Sequence, residues 1–153
     1  MEVFAVAPGM VSELPYLRTS GTYILHLRLP QPLNQLAIGR LGRFDLAAGH
    51  YYYVGSAFGA GGLAARLRRH CLVNKRPHWH IDYLRPYLEL EMIWVATGKE
   101  RLECRWCTAL ATVPGLVRPI PHFGASDTGC GGHLFYATMA VPNIAMWLAG
   151  NRQ

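Results

Sequence analysis

The chain has 153 residues, 15 Lys+Arg against 9 Asp+Glu, and a formal net charge of +6. That length suits one domain, because two independent cores would each be too small to bury enough apolar surface. At 51% hydrophobic and 16% charged the composition excludes a disordered tail, and the excess of cations points to a polyanionic partner.

Residues 1–20 read as an N-terminal lead-in, since Pro8, Gly9 and Pro15 break any regular element. From Gly21 the pattern changes. Thr22–Leu29 alternates β-branched, aromatic and polar residues and predicts a strand, ended by Pro30-Gln31-Pro32. A short second strand is expected around Leu36–Ile38, with Gly39 and Gly42 at a turn. Gly49–Val54, with three adjacent tyrosines, predicts the next strand. Gly55 closes it, and the small residues Ser56–Gly61 form a loop.

Gly62 to about Leu72 reads as a helix with Leu63 and Leu67 on one stripe. His78–Tyr87 reads as one or two helical turns and Leu88–Thr97 as a strand. Glu100–Thr112 predicts a helix broken by Pro114-Gly115, Leu134–Met139 the last strand, and Asn143–Leu148 a short helix behind Pro142. Residues 21–153 thus form a small single α/β (α+β) domain, with a central, mostly antiparallel sheet flanked by helices.

Chemistry-bearing residues gather in this frame. Antiparallel pairing would bring Gly21-Thr22-Tyr23, at the start of one strand, to Tyr53-Val54-Gly55, at the end of the next long one, with both tyrosines on one face. Arg66 and His70, four apart, share a helix side. Arg68, Arg69, Lys75 and Arg76 add a basic patch suited to phosphates without sequence preference. Among the acids, Glu2 and Glu13 fall in the lead-in, Glu89 and Glu91 on one strand face, Glu100 at a helix start and Asp45 in a turn. Asp82, Glu103 and Asp127 remain as candidate metal ligands. Each feature also has a plain structural reading: amphipathic sheet tyrosines, a solvated arginine face, hydrogen-bonded histidines at His78 and His80, and Trp79 as a packing anchor.

In order and spacing these residues resemble the GIY-YIG nuclease superfamily. Gly21-Thr22-Tyr23 stands for its first motif and Tyr53-Val54-Gly55 for its second, with Arg66, His70 and Glu103 at its helix positions. Gly55-Ser56-Ala57, Arg69-His70 and His78–Tyr83 are similar to a little-characterised archaeal and bacterial branch, found alone or fused to a DNA-repair glycosylase. The resemblance covers about residues 20–137. It implies a divalent-metal-dependent endonuclease acting on DNA, in repair or on particular DNA structures, with Tyr23, Tyr53, Arg66 and His70 catalytic. Glu103 would hold one Mg²⁺ or Mn²⁺. Apart from the resemblance, the positions of His80, Asp82, Asp127 and His133 make them candidates for supporting the site. A planar, permanently charged Arg66 suits the phosphoryl oxygens, and a single carboxylate suits a metal that also binds phosphate. Compared with the family, the interval from Tyr23 to Tyr53 is long enough to demand an inserted hairpin or strand. Ser56 stands where several relatives carry lysine, and Val113-Pro114-Gly115-Leu116 lacks the asparagine many members carry.

Two other readings stand beside it: a catalytically weak nucleic-acid-binding module, and a zinc-stabilised interaction domain built on Cys104-x-x-Cys107 and Cys130-x-x-His133. Against the latter, the first pair falls inside a predicted helix. The default for all four cysteines is the reduced thiol of a cytoplasmic protein. The glycine-rich stretch from Phe123 to His133 permits close backbone approach to a phosphate. No apolar run approaches the roughly 20 residues that span a bilayer, and the first ten residues lack the features of a secretory signal. RNA stays open beside DNA, because no pattern here reads a 2′-hydroxyl.

Overall fold

The computed structural model describes residues 2–124 and 130–149. Its strands are β1 (Phe4–Val6), β2 (Gly21–Leu29), β3 (Leu33–Ile38), β4 (Gly42–Leu46), β5 (Gly49–Ala57), β6 (Glu89–Thr97) and β7 (Leu134–Ala137). The helices are α1 (Gly62–Cys71), α2 (His80–Leu84), α3 (Glu103–Ala111) and α4 (Ile144–Ala149). Five strands pair antiparallel in the order β1-β6-β2-β5-β7, and β3-β4 form a separate hairpin. The expected α+β class, with its antiparallel sheet flanked by helices, is what the chain adopts.

Sidedness follows from the two-residue period of a strand. Tyr23, Leu25 and Leu27 of β2 and Tyr51 and Tyr53 of β5 join one buried cluster with Leu63 and Leu67 of α1 and Ile81 and Leu84 of α2. Their neighbours Ile24, Tyr52 and Val54 join a second cluster with Trp106 and Leu110 of α3 and Ile144 and Leu148 of α4. Both sheet faces are therefore covered, which explains why β2 is buried on both sides from Gly21 to Leu25.

Three local readings change. The segment before Gly21 does contain regular structure. Phe4–Val6 pair with Val95–Ile93 as an edge strand, and Pro8 and Pro15 begin 3-10 turns, where a fixed φ fits. Val6, Val11 and Leu17 are buried there. A three-residue strand draws its stability from its partner and so leaves little local signal. Next, β5 continues past Gly55 to Ala57, because Ala57, Ser56 and Gly55 pair with Gly21, Thr22 and Tyr23. Finally, α3 begins at Glu103. Glu100 lies before it and pairs with Arg105 at 2.8 Å. The long interval between the two tyrosines is occupied by the β3-β4 hairpin, as its length requires.

Candidate functional site

Register places the two tyrosines. Tyr23 lies opposite Gly55 and Tyr53 opposite Leu25, so both rings emerge on the α1 side of the sheet. The Tyr23 ring crosses the backbone at Gly55 so closely that a Cβ there would strike its hydroxyl and ring carbons. Gly55 is thus needed for close approach, and its φ is ordinary.

Around these rings opens a cleft of about 350 Å³. Tyr23 of β2, Tyr53, Gly55 and Ser56 of β5, Arg66 of α1 and Glu103 of α3 all line it. His78, Trp79, His80, Arg101 and Gly124 complete the wall. Four residues expected to act together, Tyr23, Tyr53, Arg66 and Glu103, thus meet in one concavity from four separate elements.

His70 lies beneath that surface. It is 1% exposed, and its Nε2 is 2.6 Å from the Tyr23 hydroxyl. Burial, then the charge of Lys75, lowers its pKa to about 3, so it is neutral at ordinary pH. Burial, then Tyr53, pushes the Tyr23 pKa well above the phenol range, while Arg66 pulls the other way. Burial, then the Glu103 carboxylate, raises Tyr53 as well, again opposed by Arg66. Both phenols are therefore protonated, and Arg66 is the group that favours their ionised forms.

Arg66 is held by its own donation to the Ser56 carbonyl at 2.9 Å and by the Trp79 ring, whose centroid is 4.2 Å from its guanidinium carbon. Arg69 lies against the same ring at 4.8 Å. Trp79 packs, as expected, but it packs against the cations of the cleft. Glu103 sits in the first turn of α3, where the helix dipole favours a carboxylate. The Ser56 hydroxyl donates to its Oε1, and His133 Nδ1 is 3.4 Å from its Oε2. Ser56 thus fixes the glutamate at the position where the family resemblance would place a lysine.

Other expected site residues are placed differently. Asp82 is fully buried outside the cleft wall, and its Oδ2 accepts from the backbone of His78 at 2.8 Å and Trp79 at 2.9 Å. Arg69 donates to it at 2.9 Å, and Lys75 Nζ is 3.6 Å from its other oxygen. Burial opposes its charge, but those donors outweigh burial and hold its pKa below the usual carboxylate range. Asp82 therefore pins the segment that carries Trp79. It is not free to bind metal.

Lys75 is likewise turned inward, with a side chain 6% exposed that donates to the carbonyls of Arg69 and Leu72. It closes the end of α1 and leaves the basic face to Arg68 and Arg76, which are exposed. His80 accepts from the Gly124 backbone through Nδ1 at 2.9 Å. Asp127 lies outside the described residues.

Arg101 was not anticipated. It is exposed, stacks on Phe58 at 4.4 Å and lines the cleft. Its only sequence signal was its place two residues before Glu103.

The cysteines divide. Cys107 is buried in the α3 core and Cys71 is half-buried on α1, both as thiols. Cys104 and Cys130 lie at disulfide distance, with Cα atoms 5.5 Å apart. This corrects the expectation of four unpaired thiols, while the Cys104–Cys107 ligand pair weighed beside it is not formed, because helical spacing turns Cys107 into the core. No helix among the described residues is long and apolar enough to cross a membrane.

A family model described as a domain of unknown function, DUF123, matches residues 22–148. No curated protein and no solved structure matches the chain.

Proposed function

We propose that the chain, which belongs to the DUF123 family, is a divalent-metal-dependent endonuclease of the GIY-YIG kind that hydrolyses phosphodiester bonds in DNA. One observation carries this reading: Tyr23, Tyr53, Arg66 and Glu103 line a single cleft.

The cleft suits an in-line attack of water on phosphorus. Arg66, braced by Trp79 and the Ser56 carbonyl, presents a fixed positive charge to the non-bridging oxygens, where negative charge grows. Because its position is set before substrate arrives, little reorganisation is needed. Arg101, on the cleft wall, adds a second cation for the flanking phosphate.

The donor set fits a hard cation. Glu103 and the Ser56 hydroxyl offer oxygen only, and a carboxylate oxygen already accepting one hydrogen bond keeps a further lone pair. Glu103 would hold Mg²⁺ or Mn²⁺, which when bound supplies Lewis-acid polarisation of a phosphoryl oxygen. Proton movement falls to the tyrosines. Tyr23 hydrogen-bonds through its hydroxyl to neutral His70, which fixes the phenol oxygen beside the cleft. Both phenols rest protonated, so a tyrosine would take the proton of the attacking water only as the phenolate that Arg66 and a bound cation favour.

The test is cleavage of supercoiled plasmid and branched duplex DNA by the purified chain with Mg²⁺ or Mn²⁺ and with a chelator. Metal-dependent nicking is expected, lowered at least about 100-fold by Arg66→Ala and by Glu103→Gln. Nicking undiminished in both variants would overturn the site. Salt-sensitive DNA binding by the native chain without any cleavage would favour the binding-module reading.

A further inference from the structure

Adjacent to Glu103 is a second cluster with different chemistry. Cys104 lies in the first turn of α3, and Cys130 and His133 come from the segment that enters β7. The two sulfurs and an imidazole nitrogen lie within 4.8 Å of one another. His133 is 1% exposed, with Nε2 3.0 Å from Cys130 Sγ and Nδ1 3.4 Å from Glu103 Oε2. One ring nitrogen therefore faces the sulfurs while the other faces a carboxylate. This is how a metal-bound histidine is set: the remote nitrogen donates to an acid, which fixes the tautomer and raises the basicity of the ligating one.

The main chain around the cluster is anchored on several sides. His133 donates its N–H to the Phe123 carbonyl at 2.7 Å and accepts from Val54 of β5 at 2.9 Å. Arg118 donates to the carbonyls of Cys130 and Gly132, both at 3.1 Å. A disulfide would use only the two sulfurs and leave unexplained why a buried imidazole is aimed at them.

We propose that Cys104, Cys130 and His133 form a zinc site. Two thiolates and an imidazole are soft to borderline ligands and select Zn²⁺ over the hard cations that suit Glu103. The side chains supply three of the four tetrahedral positions, without Cys107. The metal ties α3 to the approach of β7 and, through His133, holds the Glu103 carboxylate in place. Disulfide and dithiolate are alternative states of one cysteine pair: two equivalents of a small-molecule thiol reduce the disulfide to the dithiol and leave as their own disulfide, and Zn²⁺ displaces the two thiol protons. The site stands on its own ligands and does not depend on DNA cleavage.

The experiment is metal analysis of the full chain purified in reducing buffer after exposure to Zn²⁺ alone, followed by exchange with Co²⁺. About one zinc per chain is expected, and the Co²⁺ form should show thiolate charge-transfer and tetrahedral ligand-field bands. Cys104→Ser and His133→Ala should each weaken zinc binding at least about tenfold, whereas Cys71→Ser should keep it. The cobalt spectrum of the native chain keeps the test decisive if a ligand variant fails to fold. Substoichiometric zinc with Cys104 and Cys130 still joined in reducing buffer would overturn the site, as would zinc retained unchanged by Cys104→Ser. Metal content and spectrum are read without DNA, so failure of the nuclease reading and failure of the zinc site give different results.

Discussion

His70 shows how one buried side chain links the site to stability. In the unfolded chain its imidazole binds a proton near pH 6.5, but in the fold burial, then Lys75, lowers that value to about 3. The unfolded state therefore takes up more protons as pH falls. The stabilising contribution of neutral His70 is complete above about pH 6.5 and is lost progressively down to about pH 3, at about 1.4 kcal/mol per pH unit. His26, whose pKa burial lowers to about 4, adds a similar slope from the other sheet face. Chemical denaturation at pH 6.5 and 5.5 should show native stability falling, and His70→Gln should remove about 1 kcal/mol of that fall. Equal slopes in both proteins would mean that His70 is charged in the fold. Arg66 and Glu103 were visible as residue types at the right intervals. Asp82 stood behind Glu103 as a candidate ligand, and its buried contacts with Arg69 and the His78 and Trp79 backbone assign it to support.

At the scale of elements, the register of β2 on β5 decides the site. Tyr23 opposite Gly55 lets the ring lie across the neighbouring strand, with the hydroxyl at the cleft edge and within reach of His70. Gly55→Ala puts a methyl group into that ring. We expect a loss of about 1–3 kcal/mol, typical of overpacking, measured by thermal or urea unfolding. A larger fractional loss of DNA cleavage should accompany it, because Tyr23 must move. An unchanged cleavage rate with the expected destabilisation would separate the ring position from catalysis. The long strands β2, β5 and β6 and helix α1 were legible from period-two and i, i+4 patterning, whereas Gly42–Leu46 read only as a turn. The edge strand Phe4–Val6 and the extension of β5 through Ala57 were not, because both depend on a partner strand distant in sequence.

Across the whole molecule, the sheet separates two environments. One face carries α1, α2 and the cleft, and the other is closed by α3 and α4. Glu103, at the start of α3, reaches the cleft from the far layer. The net charge of +6 is spread unevenly, since Lys75 and Arg69 are committed to Asp82 and to carbonyls. Arg68, Arg76 and Arg101 remain exposed. If DNA enters the cleft, Arg101→Ala should reduce the slope of log K against log salt by about 0.9, the loss of one phosphate contact. Fluorescence-anisotropy titrations across a salt series would measure it, and an unchanged slope would place the DNA elsewhere.

The sequence by itself determined the fold class, the order of the long strands and the helices, and a short set of residues able to handle phosphate. Those follow from local periodicity and from residue chemistry, which neighbours in the chain are enough to express. Only the tertiary structure decided which members of the set meet. It gathered Tyr23, Tyr53, Arg66 and Glu103, withdrew Lys75 and Asp82 into an internal network, and brought Cys104 to Cys130 and His133 while turning Cys107 into the core. The physical reason is that burial and long-range pairing set each side chain's partners, and a polar group in a low-dielectric interior must take whichever partner the fold supplies.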